Sequence, residues 1–203
     1  MILPSVYAGN IQYFSKIAHY GSLTLEACGH YLRQTFRTRC RIAGAEGPLY
    51  LTVPVERGEL EKPFDRDIRV ADTPWQKLHW GAITAAYGKS PFLDYLADDL
   101  RPVFERRYTF LWDVQQDMLR FLLQNMGIEA ETSLTREFAP LSGDDGRLLA
   151  NARHPLPDPH FRPVPYYQVF AGKYGFVPNL SALDLLFNMG PESLAILRNS
   201  YLP

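Results

Sequence analysis

Residues 30–55 read HYLRQTFRTRCRIAGAEGPLYLTVPV, and the fold turns on how they are read. Gln34, Arg37, Arg39 and Arg41 stand among alternating apolar residues up to a turn at Gly44 to Gly47, after which Leu49, Leu51 and Val53 alternate again. A period of two on both sides of a glycine-bearing connection predicts a β-hairpin, with Arg37, Arg39 and Arg41 on one face. Three guanidiniums sharing a face repel one another, so an anionic partner is expected. It is either a carboxylate or phosphate of a ligand, or acidic residues of the chain itself, with Glu56, Asp65 and Asp67 as candidates; both readings stay open.

Upstream, Ile2 to Tyr7 is a short apolar run broken by Pro4, suited to a sheet edge. Asn10 then caps a helix with Ile11, Phe14, Ile17 and Ala18 at helical spacing, stopped by Gly21. Ser22 to Ala27 reads as a strand leading into the hairpin. Downstream, Glu56 to Asp67 is a charged surface loop and Ile68 to Val70 a short strand. Thr73-Pro74-Trp75 starts a helix, with Thr73 as N-cap, that runs to Gly88 and buries Trp75, Leu78, Ala82, Ala85 and Ala86. Phe110 to Met126 repeats Leu111, Val114, Met118, Phe121 and Leu122 at intervals of three and four, an amphipathic scaffold helix, and Ile128 to Leu134 reads as a last strand.

These elements predict a mixed α/β (α+β) domain. A largely antiparallel sheet built on residues 22–55 is flanked by the helices from Asn10, Trp75 and Phe110. The core covers 1–141, a proline-rich connection covers 142–165, and an aromatic-rich helical tail over 166–203 docks on the core or on a second copy, which leaves a homodimer open.

The net charge of −1 argues against a wholesale nucleic-acid partner, which needs a basic surface to displace counterions. No apolar window is long enough to cross a bilayer, and the segment MILPSVYAGN lacks a basic region before an apolar run. A cytoplasmic protein with reduced cysteines is the resulting expectation. Cys40, between Arg39 and Arg41, points opposite to both and reads as a small core residue; Cys28 reads as structural too. His154 and His160 are spaced by a proline-rich loop that cannot hold ligand geometry, so neither metal nor cofactor is expected. No phosphate-binding loop, dinucleotide fingerprint or serine elbow is present. His30 and His79 are the candidates for general acid or base, beside a wall formed by Trp75 and Tyr87; the alternative is a pair of hydrogen-bonded structural histidines.

Taken in order, Tyr7, Tyr13-Phe14, Gln34-Thr35-Phe36-Arg37-Thr38-Arg39, Leu51-Thr52-Val53-Pro54-Val55, Trp75 through His79 to Tyr87, Pro91-Phe92 and Tyr95 resemble the WbqC-like family. The tail, with GFVPNLSALDLLFNMGPE, resembles members from Bacteroidetes. Ala8-Gly9 replaces the family's Leu-Pro pair, and Thr38 stands where asparagine is common. The family is associated with surface-polysaccharide and O-antigen gene clusters. That implies a cytoplasmic step on a small anionic donor, such as a nucleotide-sugar or an acyl donor. The expectation is a transferase moving an acyl or aminoacyl group to a sugar amine: Gln34, Arg37 and Arg39 bind the donor, Trp75 and Tyr87 line the sugar or acyl surface, and His79 or His30 takes the proton. The competing expectation is a non-catalytic binding or assembly protein of the same pathway.

Overall fold

The computed structural model describes residues 1–56, 62–138, 146–150 and 157–203. His154 and parts of the Glu56–Asp67 loop and of the 142–165 connection lie outside the described residues.

The chain opens with β1 (Ile2–Pro4), α1 (Ile11–Tyr20) and β2 (Ser22–Glu26). Asn10 caps α1 by accepting from the Tyr13 N–H through its side chain, and Gly21 closes the helix in the left-handed region at φ 61°. A helix between two strands carries the chain back to the starting end of the sheet, so β2 runs parallel to β1, with Leu3 opposite Leu25. After the hairpin and three further helices, β5 (Glu131–Leu134) joins the other side of β2, again parallel, with Leu23 opposite Thr132. The sheet order is β1-β2-β5.

This overturns the expected largely antiparallel sheet over residues 22–55. The main sheet is parallel, and the antiparallel pairing belongs to a separate two-stranded hairpin of β3 (Arg39–Gly44) and β4 (Gly47–Thr52). The alternation of residues 30–55 is real, but it describes only a hairpin. The parallel partners of β2 lie far away in sequence, where local periodicity carries no pairing information. The hairpin also starts later than expected. Arg39 and Arg41 share a face of β3, whereas Arg37 precedes the strand and leaves the ladder. Around residues 68–70 there are only isolated bridges, Val55 to Val70 and Arg69 to Phe110.

The helices α2 (Trp75–Tyr87), α3 (Leu93–Glu105) and α4 (Leu111–Asn125) follow. Pro74 occupies the N-cap of α2, and no side chain caps that end. The buried stripe of α2 is Trp75, His79, Ile83, Ala86 and Tyr87, while Leu78 is 67% exposed. In the tail come α5 (Ala171–Tyr174), α6 (Ala182–Met189) and α7 (Ser193–Asn199). Every residue of α6 from Ala182 to Asn188 is buried, against α1, α3, α4 and β3. Ser181 caps α6 through its hydroxyl and also donates that hydroxyl to the Ala8 carbonyl, while its N–H donates to Arg41 O. Among the described residues, no helix is long and apolar enough to cross a membrane.

Asp184 is the polar centre of this packing. Its carboxylate accepts the Tyr87 hydroxyl at 2.8 Å, the Tyr166 hydroxyl, and Gln168 Nε2 at 3.2 Å. Burial raises its pKa, and those hydrogen bonds pull against the rise. Replacing Asp184 with Ala strands two tyrosine hydroxyls in the core and is expected to cost about 3 kcal/mol or more in urea unfolding. Asp184→Asn, which retains one acceptor, is expected to cost less.

Candidate functional site

Ligands of parallel α/β sheets bind outside the carboxyl ends of the strands. At that edge β2, the central strand, ends on Glu26, a carboxylate only 4% exposed that follows the buried Leu25. The chain then passes so close that a Cβ on Gly29 would lie 2.5 Å from the Glu26 carboxylate, so a larger residue here would have to displace that carboxylate from its place. Arg147 Nη1 donates to Glu26 Oε1 at 2.6 Å, and Arg37 Nη2 stands 3.8 Å from Glu26 Oε2. Arg37 Nε donates to Asp65 Oδ2 at 2.7 Å. Asp65 lies in a 3-10 turn, Asp65–Asp67, held by its N–H to the Gly29 carbonyl. Two guanidiniums and two carboxylates, all buried, thus form one cluster at the carboxyl edge.

Arg37 is positioned from three sides. Thr35 Oγ1 donates to the Leu32 carbonyl and accepts the Arg37 N–H, tightening the turn. Gln115 of α4 donates to Arg37 O at 2.8 Å, and the Tyr7 N–H donates to Phe36 O. Within the turn, Gln34 is exposed and adopts φ 60°, a left-handed conformation that costs a non-glycine residue on the order of 1 kcal/mol. Burial raises the pKa of Asp65, and the neighbouring Arg37 guanidinium opposes that rise without overcoming it.

The two histidines part company. His30 is exposed at the mouth of the cluster, its ring stacked on Phe64 at 4.9 Å. Its Nδ1 lies 3.0 Å from the Lys62 carbonyl. A carbonyl can only accept, so Nδ1–H is the donor there and Nε2 is the nitrogen left unengaged. His79 is buried, and both its nitrogens are engaged: Nε2–H donates to Thr52 O at 3.2 Å, so Nδ1 accepts the Tyr7 hydroxyl at 2.9 Å. Desolvation lowers its pKa to about 4, partly opposed by the Thr52 carbonyl.

Trp75 packs edge-on against Tyr7 and His79, and Tyr87 is fully buried between the Ala43 N–H and Asp184, so both rings face the core. The Arg39 guanidinium lies 5.7 Å from the Tyr50 ring, and Arg41 Nη2 donates to Pro178 O. The structure therefore brings His30, Gln34 and Arg37 to one edge. Trp75, His79 and Tyr87 are buried in the core instead. Of the three acids expected to pair with arginine, Asp65 meets Arg37, while Glu56 meets Arg69 at the surface. Glu26 and Arg147 were missed; the one signal was a lone acid ending the alternating strand Ser22–Glu26. Cys40 is buried, its thiol pushed up to about 12 by desolvation, which leaves it unreactive. Among the described residues no group of three or more His, Cys, Asp or Glu could hold a metal. Two surface grooves, of about 350 Å³ beside Arg106 and Asp117 and about 560 Å³ beside Phe92 and Tyr167, contain none of the cluster residues.

A three-stranded parallel sheet with flanking helices and a separate antiparallel hairpin defines a mixed α/β protein. The model of the WbqC-like protein family matches residues 5–155, and the chain belongs to that family. It is also 26% identical, over 212 residues covering 92% of this chain and 91% of the relative, to the uncharacterised protein Rv1507c of Mycobacterium tuberculosis. No solved structure matches. The family model ends before the tail, so the Bacteroidetes-type reading of residues 166–203 rests on the sequence resemblance alone.

Removing Arg37 leaves Asp65 and Glu26 buried beside a lost cation, so Arg37→Ala is expected to lower stability by about 3–5 kcal/mol in chemical denaturation. His79 gives a separate signature. Between its ordinary pKa of about 6.5 and its folded value of about 4, the unfolded chain binds more protons than the folded one. Stability contributed by neutral His79 is therefore present above pH about 6.5 and lost as pH falls toward 4, by roughly 3 kcal/mol in total. In His79→Gln, denaturation curves across this window are expected to lose that component of the pH dependence.

Proposed function

We propose that the chain is a cytoplasmic transferase of cell-envelope polysaccharide biosynthesis that moves an acyl or aminoacyl group from a small anionic donor to a sugar amine. The observation that supports this reading is His30: an exposed imidazole whose Nδ1 is engaged by the Lys62 carbonyl, leaving Nε2 unengaged, beside the charged cluster at the carboxyl edge of the sheet. In this scheme the sugar amine attacks the acyl carbonyl carbon and a C–N bond forms. The amine proton passes to His30 Nε2, the bond from the acyl carbon to the donor breaks, and the imidazolium returns the proton to the leaving group. Gln34 and Arg39 hold the anionic part of the donor at the rim, and Arg37 forms the floor.

The experiment incubates purified protein with mixtures of nucleotide-linked amino sugars and acyl or aminoacyl donors, and reads the acylated sugar by mass spectrometry. His30→Gln is expected to keep the melting temperature and to slow transfer by about a hundredfold or more, the usual contribution of a general base. Wild-type protein that yields no acylated sugar with any donor refutes the reading.

A second reading has its own support. Arg37 is paired with Asp65 and Glu26, and Arg41 with Pro178 O, as a non-catalytic binding or assembly protein of the same pathway would have them. Ligand binding without turnover in the same incubation favours that reading, with a homodimer as its natural assembly.

A further inference from the structure

The groove of about 560 Å³ lies where the tail meets the entry to α3. Pro91 and Phe92 line it just before α3, Asn188 at the end of α6, Pro191 and Glu192 in the 3-10 turn that follows, and Tyr167 from the tail segment before α5. This wall is built rather than incidental. The Phe92 N–H donates to Phe187 O at 3.0 Å, and the Phe92 ring lies so close to Gly190 that a Cβ there would come within 2.6 Å of it. Gly190 also adopts φ 51°, in the left-handed region, so both conditions select glycine and together they set the ring.

The groove is apolar in body and one-sided in its polar groups. Tyr167 is 55% exposed and Phe92 partly so, which leaves aromatic surface open to a ligand. Apart from the Tyr167 phenol, donors are scarce: Pro91 and Pro191 have no N–H, the Phe92 N–H is spent on Phe187 O, and Asn188 Nδ2 is turned back onto Asp184 O at 2.7 Å. A carbonyl only accepts, so that last bond fixes which end of the Asn188 amide is the nitrogen. The other end, Oδ1, has no partner although Asn188 is 3% exposed, and a buried acceptor left unmade is costly. The charge has one sign as well. Glu192 is exposed and joins no ion pair among the described residues, no Lys or Arg lines the groove, and the wall includes the last turn of α6, where the helix dipole carries partial negative charge. A neutral sugar, which needs donors as well as acceptors, is poorly served here. A cation that presents N–H groups is well served.

We propose that this groove binds a primary ammonium ion carrying an apolar body. The Glu192 carboxylate supplies the counter-charge, Asn188 Oδ1 accepts one ammonium N–H, and the body packs on Tyr167 and Phe92, whose ring faces add a cation–π attraction. None of these residues belongs to the charge cluster at the sheet edge, so the site stands whether or not the chain transfers acyl groups.

The test is an equilibrium titration of the full chain at neutral pH, by calorimetry or protein NMR, with four probes of one shape: phenethylammonium, its N,N,N-trimethyl derivative, 2-phenylethanol and 3-phenylpropionate. Phenethylammonium is expected to bind at least about tenfold tighter than the alcohol, the discrimination that one charge-assisted hydrogen bond supplies. The trimethyl derivative keeps the charge without an N–H and is expected to fall between them. Glu192→Gln is expected to lose most of the preference for the cation over the alcohol with its melting temperature unchanged, because that side chain is exposed and makes no capping hydrogen bond. Tyr167→Ala is expected to weaken all four probes while leaving their order, which places them in this groove. Equal affinities for the ammonium and the alcohol, tightest binding of the carboxylate, or no binding of any probe at millimolar concentration overturns the proposal. A Glu192→Gln variant that keeps the preference, or a Tyr167→Ala variant that binds as the wild type does, overturns it too. A trimethyl derivative as tight as the primary ammonium overturns the part given to Asn188.

Discussion

The contact between Arg37 and Asp65 constrains more of this chain than any other single interaction. Taking an ion pair out of water costs several kcal/mol per charge before the partners attract each other, so the groups must meet in near-ideal geometry. Here that geometry fixes the end of β2, where Glu26 supplies the second carboxylate, and the close passage at Gly29. It also fixes the 3-10 turn that delivers Asp65 and the Thr35-locked turn that delivers Arg37. The hairpin begins at Arg39 because the residues before it are committed to this cluster. Three helix-borne or loop-borne contacts, from Gln115, Tyr7 and Arg147, close the arrangement from outside the hairpin.

The same burial that makes the cluster structural sorts the histidines. His79 sits in a chain of hydrogen bonds from the Tyr7 hydroxyl through the imidazole to the Thr52 carbonyl. That chain ties the segment after β1 to α2 and β4, and burial there disfavours a charged imidazole. His30 has only one nitrogen engaged, and water reaches its ring. Two residues of one type, both near neutrality in water, are thus assigned to different work by the number of partners each finds.

Local patterns in the sequence carried the helices and the hairpin. The cap at Asn10 and the stop at Gly21 are side-chain and backbone events within a few residues, so they are legible. The strands Ile2–Tyr7, Ser22–Ala27 and Ile128–Leu134 were legible singly, but their parallel pairing was not, because β1, β2 and β5 pair across helices and loops where local periodicity carries no partner information. The face of α2 was half legible: Trp75 and Ala86 point inward as the spacing says. Leu78 does not, and polar His79 takes a core place that hydrophobicity alone would not grant. For the site, the acidic partners of the arginines were foreseen as a class and Asp65 by name, but Glu26 and Arg147 come from positions 26 and 147, and nothing local links them.

The tail shows why the family match and the folding unit do not end together. The match stops at residue 155, yet α6 lies wholly inside the molecule, with its N-terminus stitched to Ala8, Gly9 and Arg41 through Ser181 and Ala182. Tyr87 belongs to this joint. Its hydroxyl accepts the Ala43 N–H and donates to Asp184, so one phenol links α2, β3 and the tail. A tyrosine at that place in the sequence reads as a wall for a ligand only while α6 is left out. Once Asp184 is in the core, it requires donors around it, and Tyr87 is held inward by that requirement.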